Sequence, residues 1–96
     1  MLEIRPVCEN CARPLPNESL EAFICSFECT FCEDCVKSVL HNVCPNCGGG
    51  FERRPIRPGG KLRRYPAKVD QHVKPVDLEK FQKILLANRD TPPQSR

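Results

Sequence analysis

Eight cysteines lie between positions 8 and 47 with the spacing Cys8-x2-Cys11-x13-Cys25-x3-Cys29-x2-Cys32-x2-Cys35-x8-Cys44-x2-Cys47, which makes four closely spaced pairs. Two intervening residues let a tight turn aim both sulfurs at one point, and four soft thiolates in a tetrahedron match Zn²⁺. The pattern therefore predicts two four-thiolate zinc sites, hence 2 Zn²⁺. Such sites leave no position open for water or substrate, so the ions are expected to be structural and the protein not to be an enzyme. A zinc-held thiolate is not free to act as a nucleophile either. With both shells complete, His41 and His72 are read as structural or solvent-facing.

Four pairs can be joined two by two in three ways, and the elements that position them select among these. Glu33 to Asn42 reads as a short helix with Val36, Val39 and Leu40 on one face, which puts Cys32 and Cys35 at its first turn. Free N–H groups and the helix dipole favour thiolates there. A knuckle then completes the site from the other side. Cys8, Cys11, Cys32 and Cys35 are expected to form the first site, leaving Cys25, Cys29, Cys44 and Cys47 for the second. The two sites interleave along the chain, so neither forms without ordering the loop of the other. Gly48 supports the last knuckle because glycine tolerates the positive φ of such turns.

Composition explains why metal is needed. In 96 residues the apolar fraction is 40%, the aromatic fraction 6%, and Trp is absent, too little for an ordinary core. Each structural zinc contributes on the order of 10 kcal/mol of apparent folding free energy at neutral pH. Phe23, Ile24, Phe27, Phe31, Val36, Val39, Leu40 and Val43 are expected to form a mini-core around the ions. No stretch approaches the roughly 20 apolar residues of a membrane span. The N-terminal residues show no basic segment followed by an apolar one, so a reducing cytoplasm is expected and the thiols are read as ligands rather than disulfides.

Four segments follow. Residues 1–56 form the cysteine module, residues 57–76 a basic Pro/Gly-rich linker, residues 77–90 an amphipathic helix and residues 91–96 a frayed tail. Asp77 reads as the helix N-cap, with Leu78, Phe81, Ile84 and Leu85 on one face. So short a helix is expected to dock on its own module, with self-association through residues 77–88 or docking on a partner as the alternatives. Formal charge is −4 over residues 1–51, +6 over 52–68 and +1 over the remainder. Zinc thiolates would take the module to about −8. Arg53, Arg54, Arg57, Lys61, Arg63 and Arg64 are the candidate nucleic-acid contacts, with Tyr65 available for stacking, although the acidic module opposes phosphate.

The cysteine pattern resembles a RING finger with cysteine at all eight ligand positions. Glu28-Cys29-Thr30-Phe31-Cys32-Glu33-Asp34-Cys35 resembles the family's central stretch, with Cys29 where histidine is usual, and Cys44-Pro45-Asn46-Cys47 resembles its closing knuckle. The resemblance implies an interleaved cross-brace and raises ubiquitin-ligase activity. Ligases commonly carry an aliphatic residue beside the first ligand pair and a basic one after the last, where this chain has Glu9, Asn10 and Gly48; only Pro45 fits. The chain also resembles a short family of uncharacterised bacterial cysteine-rich proteins, a domain of unknown function. That likeness runs across Met1 to Pro6, Ile24 to Cys32 and Val43 to Gly49, and implies zinc without supplying an activity. An iron–sulfur electron-transfer reading is the remaining alternative, motivated by Cys29-x2-Cys32-x2-Cys35 and weakened by the x8 that follows where x3 is usual. The expected protein is thus a small metal-stabilised α+β module of RING-like or treble-clef type with a C-terminal amphipathic helix. It is expected to present a surface to a protein partner.

Overall fold

A short β-hairpin organises the chain in the computed structural model, which describes residues 1–96. Strands β1 (Ala22–Ile24) and β2 (Thr30–Cys32) pair antiparallel, with Ala22 opposite Cys32, Phe23 opposite Phe31 and Ile24 opposite Thr30. β-Branched and aromatic residues suit these strands, of which β2 is wholly buried and β1 partly so. Helix α1 (Glu33–Ser38) follows β2 directly, with Cys32 as its N-cap residue. Strand β3 (Glu52–Arg53) adds to the free edge of β1, giving the order β2-β1-β3. Helix α2 (Leu78–Asn88) comes after a long strap, and Asp77 caps it by accepting from the backbone N–H groups of Glu79 and Lys80.

Six of the buried apolar side chains are cysteines, so the core is built around sulfur. Phe31 and Phe51 meet edge to face at 5.4 Å between ring centroids inside it. Leu15, Ala22, Val36, Leu40 and Val43 surround them, and α2 joins the same cluster through Phe81 and Leu85. The helix docks on its own module. No helix is long and apolar enough to cross a membrane.

Four expectations need correction. Helix α1 ends at Ser38 rather than Asn42, because His41 and Asn42 take positive φ (49° and 59°) and the Asn42 N–H returns to the Val36 carbonyl. Phe27 is 73% exposed and lies outside the core, while Phe23 and Ile24 are half-buried. The tail is not frayed. Arg96 donates to the carbonyls of Asn88, Thr91, Asn42 and Gly48, and Pro93 sits against Gly50 so closely that a Cβ there would approach its ring at 2.7 Å. The basic linker keeps mostly exposed side chains, yet its backbone is tied to the module: Lys68 N–H donates to Ile4 O, Lys74 N–H to Glu9 O, and Val76 N–H to Asn10 Oδ1.

Candidate metal centre

Two knuckles of the same build supply two cysteine pairs. In the first, Cys8 N–H donates to Arg13 O and Ala12 N–H to Cys8 O; in the second, Cys44 N–H donates to Gly49 O and Gly48 N–H to Cys44 O. The fifth residue of each turn has positive φ, 62° at Ala12 and 77° at Gly48. The turn brings its two sulfurs to one side, as the x2 spacing requires. The other two pairs come from the hairpin: Cys25 and Cys29 flank its loop, where Cys25 N–H donates to Cys29 O and Glu28 (φ 65°) makes the bend. Cys32 and Cys35 occupy the end of β2 and the first turn of α1.

The fold brings the sulfurs of Cys8, Cys11, Cys32 and Cys35 within 4.8 Å of one another. Cys11 Sγ and Cys32 Sγ are 3.7 Å apart. A tetrahedron with Zn–S arms of 2.3 Å has edges of about 3.8 Å, so the spacing fits a four-thiolate ion and is far from a disulfide. All eight cysteines are free. The second group holds Cys25, Cys44 and Cys47 to the same tolerance. Cys29 is not in it. Its sulfur stands beside Cys25 and accepts from Asn46 Nδ2 at 3.4 Å.

Two asparagines surround the sulfurs in matching positions. Asn10 Nδ2 donates to Cys35 Sγ at 3.3 Å, and Asn46 Nδ2 donates to Cys29 Sγ at 3.4 Å. Each knuckle thus reaches from its third residue to a sulfur of a hairpin or helix pair. Neither asparagine is among the residues that cysteine spacing singles out, although the signal is in the sequence as Cys-x-Asn-Cys, present at both knuckles. Backbone N–H groups add to this: Phe27 donates to Cys25 Sγ and Gly49 to Cys47 Sγ, both at 3.4 Å. Donors aimed at sulfur favour the thiolate, the form a metal takes.

Burial works against those donors when no cation is near. It pushes the thiols of Cys29, Cys32, Cys35 and Cys44 up from their ordinary value, partly offset at Cys29 by Asn46 and at Cys35 by Asn10. At exposed Cys11 burial also pushes upward but is outweighed by hydrogen bonds from the Arg13 backbone and neighbouring sulfurs, so its thiol is lowered. A cluster of buried sulfurs with N–H donors around it is suited to a soft dication that supplies the missing positive charge.

One carboxylate links the two knuckles. Glu9, 3% exposed, accepts from Asn46 Nδ2 at 2.8 Å and faces Arg5 at 3.8 Å and His72 at 3.5 Å. Asn46 therefore bridges the first knuckle to the sulfur of Cys29. His41 is exposed in the turn after α1.

The basic candidates divide. Arg54 is 1% exposed, and its guanidinium donates to the carbonyls of Arg5, Leu15 and Pro16 at 2.8, 2.9 and 2.9 Å, so it is a core staple and unavailable to a phosphate. Arg57 is half-buried and donates to Tyr65 O and Leu2 O. Arg53, Lys61, Arg63 and Arg64 are exposed.

Comparison with known proteins bears on residues 1–57, which match a family described as a protein of unknown function (DUF1272). An uncharacterized protein of Rhizobium meliloti (strain 1021) is 52% identical over 75 residues, covering 78% of this chain and 89% of that protein. No solved structure matches.

Proposed function

The chain belongs to the DUF1272 family, and from that premise we propose that residues 1–56 are a non-catalytic zinc-binding module whose two structural ions hold a surface for a protein partner. The first ion is held by Cys8, Cys11, Cys32 and Cys35. Cys25, Cys29, Cys44 and Cys47 hold the second, with Cys29 moving a short way to complete the shell. The equivalence of the Asn10–Cys35 and Asn46–Cys29 hydrogen bonds supports that assignment. A knuckle, a hairpin and a helix whose first turn carries the next pair is a treble-clef arrangement, and the interleaved pairing makes it a RING-like cross-brace.

The observation that carries the proposal is the first sulfur group, four cysteines from the first knuckle, the end of β2 and the first turn of α1 within 4.8 Å. A closed four-sulfur shell offers structure rather than catalysis. Ligase activity is not part of the proposal. The positions matching a RING's carrier-docking residues lie against this chain's own C-terminal segment: Asn10 accepts from Val76 N–H, Pro45 lines a groove with Phe81 and Ile84, and Gly48 abuts Asn88. Phe27, exposed on the Cys25–Cys29 loop that the second ion would fix, is the apolar contact offered to the partner.

Elemental analysis of purified protein tests the metal assignment. Two zincs per chain in a colourless solution supports it; a brown solution absorbing near about 400 nm, with iron and sulfide, replaces it with a cluster. The partner reading is tested by a photo-crosslinker at Ser26 in the native cytoplasm. One discrete protein adduct, lost in Phe27→Ala, is the expected result, and identical labelling of both forms contradicts it.

A further inference from the structure

Residues 57–68 are not a solvated tether but a built cationic surface. Lys61 N–H donates to Pro58 O, Leu62 N–H to Gly59 O and Tyr65 N–H to Lys61 O, which closes a compact turn around the 3₁₀ segment Gly59–Lys61. Its inner side chains, Leu62 and Tyr65, are half-buried, whereas Lys61, Arg63 and Arg64 are exposed. Arg57 locks the turn in place by donating to Tyr65 O and Leu2 O at 2.7 and 2.6 Å. Asn17 holds Arg57 in turn, accepting from its N–H and donating to its carbonyl.

Apart from Lys68, which faces Glu3, the lysine and arginines exposed on this surface are uncompensated. Residues 53–69 contain no acid, and none of Lys61, Arg63 and Arg64 forms an ion pair in a fold where other cations do. Beside the turn lies an open cleft of about 340 Å³ whose lining includes Leu2, Ile4, Arg57, Arg64, Tyr65 and Lys68. Glu3 is its one acid, and it is engaged by Arg5 at 3.2 Å and Lys68 at 3.9 Å. The Arg64 guanidinium lies 5.6 Å from the Tyr65 ring centroid, so a cation and an aromatic ring share the cleft edge.

We propose that this turn and cleft bind single-stranded nucleic acid, with backbone phosphates along Lys61, Arg63 and Arg64 and one base in the cleft against Tyr65. Stacking on aromatic and guanidinium planes suits unpaired bases. The cleft has room for a base, and the short turn provides no helix to enter a duplex groove. Ordering cations in advance removes part of the cost of binding a polyanion. Lys61, Arg63, Arg64 and Tyr65 lie beyond the family-matched residues 1–57, which supply only the Leu2, Ile4 and Arg57 wall of the cleft, and the surface is independent of the protein-partner reading.

Fluorescence anisotropy with a labelled oligouridine of about 12 nucleotides and the zinc-loaded full chain tests this. Three phosphate contacts predict affinity falling about twentyfold between about 50 and 200 mM salt. Lys61→Gln/Arg63→Gln/Arg64→Gln, all at exposed positions, is expected to lose at least about tenfold at about 50 mM salt while melting like the parent. Tyr65→Leu is expected to weaken binding severalfold and leave the salt slope unchanged. An unchanged triple variant overturns the proposal. So does tighter binding to a duplex of the same length or to anionic phosphatidylglycerol vesicles, or no anisotropy change at about 50 µM protein in about 50 mM salt.

Discussion

Arg53 and Arg54 are adjacent and chemically identical, and the structure assigns them opposite roles. Arg54 is enclosed at 1% exposure, and its three hydrogen bonds join the N-terminal segment at Arg5 to the loop at Leu15 and Pro16. Replacing it with alanine strands these carbonyls and leaves a void. The Leu15 carbonyl is buried, and an unmet buried acceptor costs about 1–3 kcal/mol. The Arg5 and Pro16 carbonyls are partly reached by water and cost less. With the lost packing of the long stem, Arg54→Ala is expected to destabilise by about 3–5 kcal/mol. Lysine fills most of the volume but has no fork to serve three acceptors at once, so Arg54→Lys is expected to cost about 1–2 kcal/mol. Arg53→Ala, at an exposed strand position, is expected to stay within about 0.5 kcal/mol of the parent. For a chain of this size 1 kcal/mol shifts the melting temperature by about 4–8 °C. Calorimetry of the zinc-loaded variants should place Arg54→Ala more than about 12 °C below Arg53→Ala. Equal melting temperatures for the two alanine variants would show that Arg54 is not a core staple.

Other perturbations separate the parts of the account. Ala12→Gly is expected to stabilise by about 0.5–1 kcal/mol because Ala12 holds φ 62°, while Gly48→Ala is expected to destabilise, with φ 77° and a Cβ 3.0 Å from Asn88 Nδ2; thermal melts give both signs. Asn46→Ala should weaken one of the two metal sites about tenfold or more and Asn10→Ala the other, read from the separate cadmium NMR resonances of the Cd²⁺-loaded chain during chelator competition; equal loss at both sites in each variant contradicts the matched hydrogen bonds. Metal retention should fall with pH. Burial raises the thiols of Cys29, Cys32, Cys35 and Cys44, so without metal the fold holds their protons more tightly than the unfolded chain, a contribution present below about pH 9 and lost as pH rises through the raised values. Bound zinc inverts that order by holding thiolates, so the loaded chain loses stability as pH drops, and a zinc-sensitive dye should report release below about pH 6. A flat profile from pH 8 to about 4 contradicts thiolate ligation.

The cysteine framework is legible in sequence because an x2 spacing encodes a local turn, and the knuckles at Cys8–Cys11 and Cys44–Cys47 need nothing distant to form. The start of α1 and the cap at Asp77 are equally local. Where sequence is silent, the deciding partner is far away in the chain. Arg54 looks like any basic residue until the carbonyls of Arg5, Leu15 and Pro16 converge on it. The strap between Arg57 and Val76 is polar enough for solvent, yet its backbone finds acceptors at Ile4, Glu9 and Asn10, and the Arg57 side chain one at Leu2, that no pattern within the strap announces. Arg96 docks the tail through carbonyls at Asn42 and Gly48, some fifty positions earlier. Phe27 errs in the other direction: composition puts a phenylalanine inside, but the loop bend at Glu28 turns it to solvent. Cys29 shows the limit of counting, since spacing makes it equivalent to Cys25 and the structure leaves it outside the three-sulfur group.

Stepwise zinc removal from the full chain at neutral pH, with released zinc and amide NMR dispersion recorded on the same sample, decides whether metal holds the fold. Two interleaved thiolate sites predict two zincs released per chain, with dispersed resonances collapsing as they leave. A chain that keeps its dispersed spectrum after the last zinc is gone, or that never held two, contradicts the account.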